Sequence, residues 1–248
     1  MQPASFWRFL SIILLFSGCK AQDSSSSRVS DTQDSSPIYI QRKPNAAGIG
    51  KYYMGREISH VMGHLGASWL ERPEREAEEQ TSLLVENLEL GPTDVVADIG
   101  AGTGYFSFRM AKLVPEGKVL AVDIQQEMLD IIQVRKQEEG VENIELILGE
   151  ETSPKLPQNT VDLVLYVDVY HELSYPREMM ENIYQALKPG GRVILVEYRQ
   201  EDPQVPIKRL HKMSLEQGIK EMEAVGLGFV ENRDMLPWQH FMIFEKAE

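Results

Sequence analysis

Three groups of residues in this sequence could do chemistry. The first is a run of alternating glycines, Asp98-Ile99-Gly100-Ala101-Gly102-Thr103-Gly104, directly after an apolar stretch. Glycines let a backbone turn tightly and let a ligand come close to it. A dinucleotide fingerprint would need G-x-G-x-x-G. Counted from Gly100 the sixth position is Tyr105, and counted from Gly102 it is Ser107. The nicotinamide reading therefore fails at its third glycine. The second group is a set of acids that end or follow apolar runs: Asp123, Glu150, Asp168 and Glu197.

The third group is the histidines and their polar neighbours. His171 stands three residues after Asp168, and Tyr198-Arg199 follow Glu197. His211 comes later in the chain. Apolar runs deliver these groups to one place or leave them scattered on the surface; both readings stay open. His171 could also cap a loop or bond a carbonyl. His60 and His64 have the i, i+4 spacing of a shared metal, with no third ligand beside them. A single cysteine excludes an intrachain disulfide and a cysteine zinc site. No metal is expected.

Alternating elements must position these groups. Val95–Ile99, Lys118–Asp123, Ile144–Leu148 and Val161–Val167 are short apolar runs, the pattern of strands buried on both faces. A fifth run covers residues 192–197, after a Lys-Pro-Gly-Gly turn at 188–191. Between the runs the period is helical: Ala77, Thr81, Leu84, Val85 and Leu88 make one stripe, and Met180, Ile183, Tyr184 and Leu187 another. Ser214 suits a helix N-cap and Gly226 a helix end. Residues 229–231 and 241–245 read as two last strands joined by a short loop, hence antiparallel. The expected fold is α/β, a Rossmann-like doubly wound, seven-stranded, mainly parallel sheet with an antiparallel last strand and an N-terminal helical segment. Ligands in such sheets bind beyond the carboxyl ends of the strands.

The D-x-G-x-G-x-G loop, the acid ending the second strand, Gly149-Glu150 after the third and the turn at 188–191 fall in order from residue 75 to the end. Together they resemble the class I S-adenosylmethionine-dependent methyltransferases. The resemblance implies S-adenosylmethionine as cofactor. It implies that Asp98, Gly100, Ala101, Gly102, Thr103 and Gly104 form the cofactor loop. It implies that Asp123 holds the ribose diol, where a carboxylate offers two acceptors. Ile124 would pack on the adenine, and Glu150, in place of the family's Asp, would accept from its amino group. Asp168 would join this cofactor set. The loop has no phosphate-binding lysine, consistent with a cofactor that has no phosphate. His171, Glu197 and Tyr198 are then the catalytic candidates. Tyr53, Trp69, Arg199 and His211 are candidates for substrate contact or cover. The expected activity is in-line methyl transfer to a small-molecule acceptor. Its rivals are aminopropyl transfer and a membrane-tethered, non-catalytic cofactor-binding module.

Residues 1–18 read as a signal peptide: Arg8, an apolar run at 9–16, then Ser17-Gly18. Phe16-Ser17-Gly18-Cys19 resembles a bacterial lipobox, which makes Cys19 the expected lipidation site. Residues 19–37 are rich in serine and read as a disordered tether. Residues 38–74 read as a helical segment or lid over the cofactor, and residues 75–248 as the methyltransferase domain. The expected location is a membrane-anchored lipoprotein; a false signal and a cytoplasmic protein are the alternative. The 248 residues carry 25 Lys plus Arg against 38 Asp plus Glu, a formal charge of −13. That excess repels nucleic acid, so no nucleic-acid partner is expected.

Overall fold

The computed structural model describes residues 37–248. The expected signal peptide, the Cys19 lipidation site and the serine-rich tether up to residue 36 lie outside the described residues.

The described chain starts as a small antiparallel sheet, with β1 (Tyr39–Gln41), β2 (Gly48–Tyr53) and β3 (Arg56–Ser59) in that order. This corrects the expectation that residues 38–74 are helical. Tyr39, Ile40, Ile49, Tyr52, Tyr53 and Ile58 are residues that favour a pleated surface. Met54-Gly55 closes β2 onto β3 with both φ positive, at 47° and 102°, the two-residue hairpin geometry that matches strand twist. Helical turns begin only at His64–Gly66 and α1 (Ala67–Leu70).

The stripe from Ala77 to Leu88 predicts one helix, and the structure holds two, α2 (Arg75–Glu79) and α3 (Thr81–Glu86). Gln80 interrupts them at φ 49°. Its N–H still bonds to Glu76, while the Thr81 hydroxyl and the Ser82 N–H also turn to the Glu76 carboxylate. Local side-chain acceptors have displaced the helical ladder there.

Beyond these helices, strands and helices alternate as expected. They run β4 (Val95–Ile99), α4 (Ser107–Ala111), β5 (Lys118–Asp123), α5 (Gln126–Glu139), β6 (Ile144–Leu148), β7 (Val161–Val167), α6 (Pro176–Ala186), β8 (Leu187–Tyr198), α7 (Leu215–Glu223), β9 (Gly228–Asn232) and β10 (Gln239–Glu245). The seven strands lie in the order β6-β5-β4-β7-β8-β10-β9. β4 to β8 are parallel, and β10 is antiparallel to both of its neighbours. The expected turn at 188–191 is an excursion inside β8. Val161 faces Leu187, but Leu163 already faces Arg192.

Alternate strand residues feed two cores. Val96, Leu163, Leu165, Ile194 and Val196 meet α3, α4 and α5 on one face. Ala97, Val164, Tyr166, Val193 and Leu195 meet α6 and α7 on the other. Ser214 caps α7 by accepting from the Gln217 N–H at 3.2 Å. The sheet order reverses direction between β4 and β7, so a cleft opens beyond their carboxyl ends, where ligands bind in such folds.

Candidate functional site

The glycine run leaves β4 and turns back over β5. The N–H groups of Gly100 and Ala101 both donate to Val122 O, at 2.8 and 3.0 Å. Gly100 sits at φ 69°, and a Cβ added there would run into Val169. At Gly102 an added Cβ would lie 2.6 Å from Leu70 Cδ1. The Gly102 N–H donates to Asp123 Oδ2 at 2.9 Å, and the Gln125 N–H to Oδ1 at 2.9 Å. A carboxylate oxygen can accept twice, so each Asp123 oxygen keeps capacity for a ligand. Burial raises the Asp123 pKa, against the pull of those N–H donors.

A cavity of about 460 Å³ lies over this turn. Gly100, Gly102, Asp123 and Ile124 are on its wall. Ala101, Thr103 and Gly104 face elsewhere: Ala101 into the core, Gly104 against Phe108, and the Thr103 hydroxyl onto Glu71 at 2.6 Å. Asp98 lies beneath the turn and accepts from the Ser107 hydroxyl at 2.5 Å. Burial pushes its pKa up to about 6. Glu150 points away from the cavity and pairs with Lys155 at 2.7 Å, while its neighbours Gly149 and Glu151 are on the wall.

The opposite wall is built at the ends of β7 and β8. Asp168 sits at φ 53°, and Gln239 Nε2 donates to its Oδ2 at 3.2 Å. Asp168 Oδ1 is buried without a partner. Burial, with the Glu79 and Glu197 carboxylates nearby, raises its pKa well above the carboxylate range. A single helical turn, Tyr170–Glu172, presents His171 and Glu172. Glu197, fully buried behind it, accepts from His171 Nδ1 at 2.6 Å and from its backbone N–H at 3.2 Å. A second such turn, Arg209–His211, brings His211 Nδ1 to 3.2 Å from His171 Nε2. Burial alone would lower the His171 pKa, but Glu197 and Glu172 lift it to about 10. Glu172 is depressed to about 2, because the two imidazoles and the Met62 N–H outweigh its burial.

Tyr198 also reaches the cavity, and its hydroxyl donates to Glu79 Oε1 at 2.8 Å. Arg199 does not; it pairs with Asp234 at 2.6 Å. Tyr53 is buried against Tyr39 in the N-terminal sheet. The structure thus gathers Asp168, His171, Tyr198, His211 and Trp69 around the space that Asp123 and Ile124 border. Glu197 stands directly behind His171.

A strap over residues 61–71 covers the cavity and is tied to both walls. Met62 N–H donates to Glu172 Oε2 at 3.0 Å, and Gln125 Nε2 donates to Met62 O at 3.0 Å. Trp69 and Leu70 face the cavity. Glu79, Met62, Gln125 and Glu172 escape a reading of the sequence. Of these, only Glu172 leaves a signal there, as the neighbour of His171.

The sequence pattern of the methyltransferase domain family matches residues 91–239. The chain is 31% identical over 126 residues to the uncharacterized methyltransferase YcgJ of Bacillus subtilis, covering 50% of this chain and 49% of that protein. It is 28% identical over 145 residues to the demethylmenaquinone methyltransferase of Lactococcus lactis, covering 58% and 56%. The chain spans about half the length of the curated relatives it matches. Among solved structures, a SAM dependent methyltransferase from Aquifex aeolicus superimposes with a TM-score of 0.71 at 22% identity, over 75% of this chain and 100% of that one. YcgJ superimposes with a TM-score of 0.56 at 20% identity, over 67% and 97%.

Proposed function

The chain belongs to the methyltransferase domain family, and from that premise we propose that it moves a methyl group from S-adenosylmethionine to a small-molecule acceptor. One observation carries this: Asp123 and the glycine turn border the same cavity as Asp168, His171 and His211. The residues present fit the cofactor. Asp123 keeps two acceptor positions for a diol. The buried, unpartnered Asp168 Oδ1 suits an ammonium group. Gly100 and Gly102 leave room that a side chain would fill. Ile124, 41% exposed, offers an apolar face to an adenine.

The cofactor supplies an already activated sulfonium methyl, so little covalent chemistry is left to the protein. Its residues align and shield. Positioning of this kind can supply about 7–11 kcal/mol. Trp69, Leu70 and the Met62 backbone exclude water from above. Glu197 holds the His171 Nδ1 proton and aims Nε2 at the cavity. The acceptor then meets the wall of His171, Glu172 and His211. A cavity of this size suits a small acceptor.

Calorimetric titration of the chain with S-adenosylmethionine is the test. Micromolar binding is expected, weakened about 10–100-fold in Asp123→Ala by loss of hydrogen bonds to a charged acceptor. A screen of small-molecule acceptors should then show labelled methyl transfer. No binding by the folded chain would overturn the reading, and binding without transfer to any acceptor would favour a non-catalytic module. The order of Arg8, the apolar run and Cys19 also supports export and lipidation at Cys19. Palmitate labelling lost in Cys19→Ser would support that placement, and labelling that persists or never occurs would sink it.

A further inference from the structure

His171, Glu172 and His211 are arranged as a metal site needs. His171 Nε2 lies 3.2 Å from His211 Nδ1 and 3.7 Å from Glu172 Oε1, and His211 Nδ1 lies 3.6 Å from that same oxygen. A point equidistant from the three atoms is about 2.0 Å from each, the length of a zinc bond to imidazole nitrogen or carboxylate oxygen. Two histidines and one glutamate is also a donor set that divalent transition metals accept.

The surroundings hold these ligands in place. Glu197 accepts from His171 Nδ1 at 2.6 Å, which leaves Nε2 as the ring atom that faces His211 and Glu172. This is the carboxylate–histidine pairing that orients imidazole ligands in metal sites. The Met62 N–H occupies Glu172 Oε2 and leaves Oε1 for the cluster. His171 is 2% exposed, so it is ordered before any ion arrives. With Glu172 and Glu197 on either side of His171, the place favours a cation.

We infer that His171, Glu172 and His211 bind one divalent transition-metal ion, with zinc the best match, and leave a further coordination position open to the cavity. Three protein ligands plus an open position is the arrangement of catalytic metal sites. The role of the ion rests on the methyltransferase reading; the site itself does not. The open position would take an acceptor bearing a hydroxyl or thiol. Coordination lowers the pKa of that group, as it does for metal-bound water. Its proton leaves to solvent. The freed electron pair forms the new bond to the methyl carbon, and the carbon–sulfur pair departs with the cofactor sulfur.

The test titrates the full chain, free of any histidine tag, with Zn²⁺ and with Co²⁺ as a spectroscopic probe, in the absence of cofactor and acceptor. One ion per chain is expected. Affinity should fall at least 100-fold in His211→Ala and Glu172→Gln, and about 10–100-fold in Glu197→Gln, which touches no ion. His60→Ala should bind as the native chain does. His211 is partly exposed on its turn, so its loss should leave the fold intact; circular dichroism of each variant checks this. No saturable binding by a folded chain overturns the inference, as does binding that both ligand variants retain. A separate titration with S-adenosylmethionine separates this failure from failure of the methyltransferase reading.

Discussion

The wall of the cavity at β4 and β5 and the wall at β7 and β8 hold their polar groups by different means. Asp123 is fixed by backbone N–H groups no more than 21 residues away, at Gly102 and Gln125. His171 and Glu172 are fixed by side chains and segments from far along the chain. Arg56 donates to His171 O across 115 residues, and Met62 donates to Glu172 across 110. The first wall is one local turn between two strands. The second exists only once the N-terminal sheet, the strap, β8 and the turn at 209–211 have all packed. A local wall suits a fixed cofactor, and a wall assembled from separate segments can diverge to suit different acceptors.

The largest expected effect tests the remote support of the second wall. Arg56 makes a two-bond ion pair with Glu221 at 2.8 and 2.9 Å, with Glu221 fully buried. Arg56→Ala removes the counter-charge of that buried carboxylate, leaving it the Gln217 amide at 2.7 Å, and should cost about 3–5 kcal/mol, read as the midpoint of urea unfolding. Arg56→Leu with Glu221→Leu should recover most of it, since replacing both members of a buried pair is often neutral. An Arg56→Ala chain of native stability would show that the second wall stands without its N-terminal support.

Next comes Asp98, under the first wall. Its folded pKa is raised to about 6 by burial. The folded state therefore holds the proton more tightly than the unfolded one. That contribution is full below the ordinary carboxylate pKa and is lost as pH rises through about 6. Asp98→Asn should flatten the fall in stability between about pH 4 and 6, gaining roughly 1–3 kcal/mol above it. Stability of the native chain measured across that range checks the sign. An unchanged slope in the variant would place the titrating group elsewhere.

A smaller effect is expected at Gly100. Ala there must adopt φ near 69° and place its Cβ against Val169. The conformation alone costs about 1–2 kcal/mol, read in thermal unfolding. Cofactor affinity should fall with it, because Val169 also borders the cavity. Stability lost with affinity unchanged would break the link between the turn and the ligand.

The same contrast explains what could be read from the sequence. The strands Val95–Ile99, Lys118–Asp123 and Val161–Val167 show as apolar runs because both of their faces are buried, and the edge strand Ile144–Leu148 shows through its isoleucines and leucines alone. The glycine turn and Asp123 show because their partners are close in sequence. The β1–β3 sheet is hidden, since its glycines and aromatic residues carry no clear period. The break at Gln80 is hidden because Glu76 reads in the sequence as an ordinary helical residue, while in the fold its carboxylate captures the Thr81 hydroxyl and the Ser82 N–H. His171, His211, Glu197 and Tyr198 are legible as chemistry-bearing residues, but not as neighbours. Their meeting depends on two single-turn helices whose sequences announce nothing.

Glu150 gives the smallest effect and the sharpest contrast between a motif position and a position in space. By resemblance it should accept from the adenine amino group. In the fold its carboxylate pairs with Lys155, with the side chain 62% exposed. An exposed ion pair of this kind adds little to stability, and nothing in its place touches the cavity. Glu150→Ala should therefore change S-adenosylmethionine affinity by less than about twofold, within what surface substitutions do. Glu151→Ala, on the wall itself, is the matched comparison and should weaken binding more. The opposite ranking in calorimetry would mean that the turn closed by paired backbone bonds between Glu150 and Ser153 rearranges when cofactor binds. The first wall would then share the adaptability of the second.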